Sequence, residues 1–157
     1  GFEADIAVRF SRQTRRGLAG YIRVGLPSFF AHQQETVKVR HAGRMAHLEA
    51  FTLAVMNSDQ YGNDARVAPG AKLDDGHFEL VSVPQVGFFD ACGMLYRLGT
   101  DTFDQVKAVT RFSGAEFTIE RAKPGWIHTD GEPRATTSTL EITLKPRSLR
   151  IMVPAST

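Results

Sequence analysis

Cysteine is nearly absent from this chain of 157 residues: Cys92 stands alone, which excludes an internal disulfide framework. A lone cysteine usually packs as a small hydrophobe, and Cys and His do not recur here at zinc-ligand spacing. Long hydrophobic runs are missing too. The longest, Ala50 to Met56, is strand-sized and well short of the roughly 18 residues that a membrane-spanning helix needs. The opening Gly1-Phe2-Glu3-Ala4-Asp5 lacks a basic start followed by an apolar stretch, so it is not a signal peptide. It also lacks an initiator methionine, which points to a start inside a longer gene product or at a processed terminus. Net charge is only +2, from 19 Lys+Arg against 17 Asp+Glu, and so small a surplus does not indicate a nucleic-acid partner. There is no P-loop, no GxGxxG after a strand, no HExxH and no GxSxG. What is present, 42% hydrophobic and 23% charged residues, is the composition of one soluble globular domain with a real core.

Two stretches differ in texture. Residues 8–31 predict helix, because Leu18, Ile22, Leu26 and Phe29/Phe30 recur at helical spacing. Pro27 should break this segment into two shorter helices. Its polar face carries Arg9, Arg12, Arg15, Arg16 and Arg23, with no acid between Asp5 and Glu35. Such a face is either a solvated or salt-bridged surface or one attracted to an anionic membrane, where five arginines suffice for weak adsorption only. From Thr36 onward the pattern is β. Val37 to Arg40 alternates, Ala42-Gly43 supplies a turn, and Ala46 to Met56 predicts one long strand. Further strands are expected at Phe78–Val83, Val106–Phe112, Glu116–Glu120, Trp126–Thr129, Thr139–Leu144 and Leu149–Val153. Between them, Phe88 to Leu98 predicts a short helix that buries Phe89, Met94 and Leu95 and is capped by Gly99. The fold class expected is therefore mainly β (α+β): a β-sandwich with an N-terminal helical segment and one short inserted helix.

Two Asp-Gly pairs stand out, Asp75-Gly76 and Asp130-Gly131. Asp-Gly between strands is first of all a hairpin turn, because glycine takes positive φ freely. Acids gather at both: Asp74 and Asp75 at the first, Asp130 and Glu132 at the second. A tight glycine turn can present carbonyls and a carboxylate together, the donor set a hard cation prefers. The five histidines are scattered, and only His128, near the second pair, draws notice.

The run Tyr61-Gly62-Asn63-Asp64-Ala65-Arg66-Val67-Ala68-Pro69-Gly70-Ala71-Lys72-Leu73-Asp74-Asp75-Gly76 resembles a string found in the diacylglycerol kinase-like lipid kinase family of bacteria. So do Asp130-Gly131-Glu132-Pro133, the closing Leu149 to Pro154 and the opening Gly1-Phe2-Glu3-Ala4. These matches come in the family's order and span nearly the whole chain. The resemblance implies the C-terminal β-sandwich domain of a two-domain kinase. No Gly-Gly-Asp-Gly-Thr phosphate loop occurs, so the N-terminal nucleotide-binding domain, which would hold most of the ATP, is missing. It further implies Mg²⁺ at the first turn, with a carboxylate from Asp75 and backbone carbonyls from Lys72 and His77. Glu132 would be the proton acceptor facing the hydroxyl of diacylglycerol or a related lipid alcohol. His77 stands where the family has an apolar residue, and Asn63-Asp64 replaces the second glycine of its loop. The implied setting is cytoplasmic, at most peripheral to the inner face of the membrane, and edge strands could pair two copies into a homodimer. The NAD kinase group shares the broad fold, but its Thr-Ala-Tyr and Ser-Ala-Gly-Gly strings are absent. The competing reading is a non-enzymatic sandwich module that adsorbs to anionic lipid.

Overall fold

The computed structural model describes residues 27–60 and 66–149. The arginine-rich face, the Tyr61 to Ala65 part of the loop and nearly all of the expected closing strand lie outside the described residues. Of the helix expected over 8–31, residues 27–31 are described and are helical, with the His32 N–H donating to the Ser28 carbonyl at 2.9 Å.

Among the described residues nine strands follow: β1 Glu35–His41, β2 Arg44–Ala50, β3 Thr52–Met56, β4 Phe78–Val83, β5 Thr110–Gly114, β6 Glu116–Glu120, β7 Gly125–Thr129, β8 Glu132–Thr136 and β9 Thr139–Thr143. Helix α1 spans Phe88–Gly99, and one 3₁₀ turn covers Phe103–Gln105. The first sheet has the order β2-β1-β6-β9 and the second β3-β4-β5, while β7-β8 stands as a separate two-stranded ribbon. Every pairing is antiparallel.

Turn chemistry and alternation explain the first sheet. Ala42 and Gly43 both take positive φ, 49° and 73°, the backbone of a type I′ turn that matches strand twist. This sets His41 opposite Arg44 and runs the pairing back to Glu35 opposite Ala50. Val37, Val39 and Leu48 therefore face inward, joined by Phe117 and Ile119 of β6. Across the gap, Leu80 of β4 completes the cluster, with Leu53, Val55, Phe78 and Phe112 packed against it. The expected alternation of β6 and β9 holds, with Phe117, Ile119, Leu140 and Ile142 on the core side.

A second cluster lies on the other face of the β3-β4-β5 sheet. Met56, Ala68, Val81 and Phe103 are buried there, with Met94 and Leu98 of α1 against them. The described residues thus form three layers, with β4 at the centre of the middle one. Leu80 points to one side and Val81 to the other, and both are essentially inaccessible. That is why β4 sets two apolar residues, Leu80 and Val81, side by side instead of alternating strictly.

Four expectations need correction. The long strand Ala46 to Met56 is two strands, broken at Phe51, which crosses from one sheet to the other. Phe51 is buried, and its N–H donates to the Val83 carbonyl at 2.9 Å. An apolar run carries no mark of such a corner. The strand expected at Val106–Phe112 forms only from Thr110, because Val106 and Val109 close a turn that packs against the helix layer. Residues Glu132–Thr136 form a strand that alternation did not reveal. Helix α1 forms as expected and packs Met94 on the core as expected, but Leu98 is its partner there, whereas Phe89 and Leu95 are exposed. Apolar residues surround this helix, so periodicity alone does not choose its stripe. Its last residue is Gly99, and the chain leaves it through Asp101, which takes φ 58°.

Candidate functional site

The first acidic turn enters β4. Asp75 and Gly76 precede Phe78, whose strand partner is Gly114 at the end of β5. Gly76 has φ 80°, a conformation that suits a residue without Cβ. The turn is held by its own side chain: the His77 N–H donates to Asp75 Oδ1 at 2.9 Å, an Asx-turn. The His77 ring bends back, and Nδ1 sits 3.0 Å from the Asp75 carbonyl. Because a carbonyl only accepts, Nδ1 is the donor there. Asp75 Oδ2 has no partner among the described residues. Lys72, Asp75 and His77 all lie on the surface.

The second turn is the tip of the β7-β8 hairpin. Asp130 and Gly131 have φ 52° and 85°, a two-residue type I′ loop that pairs Thr129 with Glu132. Glu132 is the first residue of β8, and its side chain is 80% exposed. It shares a face with Arg134, two residues on, and their charged atoms are 3.7 Å apart. His128 lies on the opposite face, across from Pro133. The base of the hairpin is pinned by Arg121. Its Nη2 donates to Thr136 Oγ1 at 2.7 Å and to the Thr137 carbonyl at 2.6 Å, and Thr136 Oγ1 donates in turn to the Gly125 carbonyl at 3.1 Å.

The two turns attach at opposite ends of β6. The first enters beside Gly114, next to Glu116, whereas the hairpin leaves after Glu120, where the Arg121 N–H bonds the Ser138 carbonyl. Five strand residues, about 13 Å of rise, separate the attachment points. Among the described residues, no three His, Cys, Asp or Glu side chains come together as a metal cluster. A site built on one carboxylate and two carbonyls would not appear as such a cluster.

Sequence reasoning missed a third feature, a clasp that joins Asp59 and Gln60 to Arg66 and Ala68. Gln60 and Arg66 form a β-bridge, and the Ala68 N–H donates to the Asp59 carbonyl at 3.2 Å. Arg66 reaches Asp101, just past α1, at 2.9 Å and Asp59 at 3.8 Å. Beneath it, Arg111 of β5 donates to the Val67 carbonyl at 2.8 Å and lies 5.9 Å from the centre of the Phe103 ring. Burial lowers the pKa of Arg111, while Asp104 and Glu79 act the other way. No local pattern announces these partners, which are 35 and 44 residues distant in sequence.

The family model described as "YegS C-terminal NAD kinase beta sandwich-like domain" matches residues 1–153. A curated protein of Pseudomonas fluorescens, "Probable lipid kinase YegS-like", is 27% identical over 158 aligned residues, covering 98% of this chain and 51% of its own length. Two solved structures from Bacillus anthracis, each described as that of a putative diacylglycerol kinase, share the fold. One has a TM-score of 0.61 at 18% identity, covering 85% of this chain and 46% of its own. The other has 0.60 at 19%, covering 90% and 46%. The chain thus spans about half the length of the relatives it matches.

Proposed function

Because the chain belongs to the YegS C-terminal NAD kinase beta sandwich-like domain family, we propose that it is the lipid-facing half of an ATP-dependent lipid kinase. In this reading it works with an N-terminal nucleotide-binding domain and transfers the γ-phosphoryl group to the hydroxyl of diacylglycerol or a related lipid alcohol. The proteins it is similar to are named as lipid kinases, and they are about twice as long. The observation that carries the reading is Glu132. An exposed carboxylate at the rim of a tight hairpin, held by the Arg121 clamp, is free to meet a substrate brought by another domain.

Phosphoryl transfer passes through a loose transition state, so catalysis rests on positioning and charge neutralisation. The attacking hydroxyl needs a hydrogen-bond acceptor that orients it and takes its proton late, and Glu132 is assigned that role. The first turn fits a Mg²⁺ ion by its chemistry: one carboxylate with a free oxygen on a glycine turn, the oxygen donors a hard cation selects. Asp75, with the carbonyls of Lys72 and His77, would hold the ion. When bound it would neutralise the acidic turn and fix its shape. Since this turn attaches at the other end of β6 from Glu132, its contribution is structural.

The test is ATP-dependent phosphorylation by the full-length parent across a panel of diacylglycerol, monoacylglycerol, sphingosine and ceramide in mixed micelles. Incorporation of phosphate into one of these lipids supports the proposal, and no incorporation into any of them rejects it. A second reading is an adsorbing module without catalysis. It is favoured by the outward face of α1, where Phe89, Leu95 and Tyr96 are exposed. Among the described residues no helix is long and apolar enough to cross a membrane. Sedimentation with anionic and neutral vesicles, alongside the kinase assay, separates the two readings.

A further inference from the structure

In the proposed reaction the lipid hydroxyl oxygen bonds to the γ-phosphorus of ATP while the bond from that phosphorus to its bridging oxygen breaks. The electron pair of the broken bond leaves with ADP, and the hydroxyl proton passes to the Glu132 carboxylate. Carboxylate and phosphoryl group must therefore both approach the same oxygen atom. Two anions on either side of one atom repel each other. A cation that touches both removes the conflict, and the hairpin carries one. Arg134 is the only Lys or Arg between Gly125 and Thr136.

Its place is set by the backbone. Residues two apart on a strand share a face, so Glu132 and Arg134 stand side by side, opposite Thr129 and Ile127 of β7. Arg134 Nη2 lies 3.7 Å from Glu132 Oε2, its one ion pair among the described residues, and the Arg134 side chain is 63% exposed. The guanidinium is thus next to the carboxylate and still open to a second anion. The other cations considered so far are placed differently. Arg121 directs its Nη2 to Thr136 and Thr137 at the base of the hairpin, and the turn assigned to Mg²⁺ attaches at the far end of β6. An exposed ion pair contributes little to stability, and the hairpin is already held by its I′ turn and by Arg121.

We propose that Arg134 bridges the Glu132 carboxylate and the phosphoryl group in transfer, keeping the first within reach of the lipid hydroxyl and offsetting the charge of the second. A planar fork of donors matches carboxylate and phosphate oxygens alike. The inference rests on the kinase reading and deepens it.

The experiment uses the full-length parent with ATP and the lipid panel above. Arg134→Gln should lower kcat by about 10²–10³-fold, the usual cost of losing one group that stabilises charge in the transition state. The KM for lipid and the melting temperature should stay unchanged. Arg134→Lys, which keeps the charge and loses the fork, should recover part of kcat. On a Glu132→Gln background the conflict between anions is relieved, so Arg134→Gln should cost at least about tenfold less there than in the parent. A normal kcat in Arg134→Gln, a loss confined to KM, a Lys variant no better than Gln, or equal losses on both backgrounds overturns the proposal. So does a kcat loss that follows a fallen melting temperature. A parent that phosphorylates no lipid rejects the kinase reading and this role with it, whereas an active parent indifferent to Arg134 rejects this role alone.

Discussion

Strand β4 and the β7-β8 hairpin are both short antiparallel elements, yet they live in opposite environments. β4 is covered on both faces, with Leu80 and Val81 inaccessible. The hairpin has no buried residue in either strand and is held by its turn geometry and by Arg121 at its base. Burying a side chain the size of leucine contributes about 1.5–3 kcal/mol, so stability is concentrated around β4. The hairpin is left free to vary its side chains without cost to the core, which suits a place where Glu132 is to act on another molecule. The same division holds within α1, whose Met94 and Leu98 pack on the core while Phe89, Leu95 and Tyr96 are left exposed.

Substitutions can break or sharpen this contrast. The largest effect is expected at the exposed end. In the full-length parent, Glu132→Gln should lower kcat by about 10²–10⁴-fold, the usual worth of a positioned acid or base, with an unchanged melting temperature. A parent that turns over normally would remove Glu132 from the chemistry. Next comes the covered strand: Leu80→Ala should destabilise the fold by about 2–5 kcal/mol in urea unfolding, through lost burial and the cavity left behind. At the first acidic turn, Asp75→Ala deletes the bond from the His77 N–H and should cost about 1 kcal/mol. It should also abolish any rise in melting temperature caused by Mg²⁺, and a Mg²⁺ response that survives would argue against the assigned carboxylate. The smallest effect is expected at Phe89, which is 88% exposed. Phe89→Ser should stay within about 0.5 kcal/mol of the parent, and a larger loss would mean that this face of α1 is covered.

Much of the fold was legible where the signal is local. β4 was expected at the residues where it lies, as was β6, because short apolar and alternating runs bounded by turn residues leave little choice. Both Asp-Gly pairs are turns with glycine at positive φ. Less was legible where environment decides. Glu132-Pro133-Arg134-Ala135-Thr136 has no apolar alternation, and it becomes a strand because the I′ turn folds it onto β7. The face of α1 was misjudged because Phe88, Phe89, Leu95 and Tyr96 made a second stripe as apolar as the one that packs.

The order of residues alone settled the strand-rich class, the two glycine turns and the kinship carried by the motifs around them. Each of these depends on neighbours a few positions apart, whose steric and hydrogen-bonding preferences act before any folding is complete. Long-range contact settled the rest: the corner at Phe51 that divides one apolar run between two sheets, the attachment of the two acidic turns to opposite ends of β6, and the meeting of His41 with Gly114. Those arrangements follow from which apolar faces can be covered at the same time, a condition on the whole chain that no local window contains.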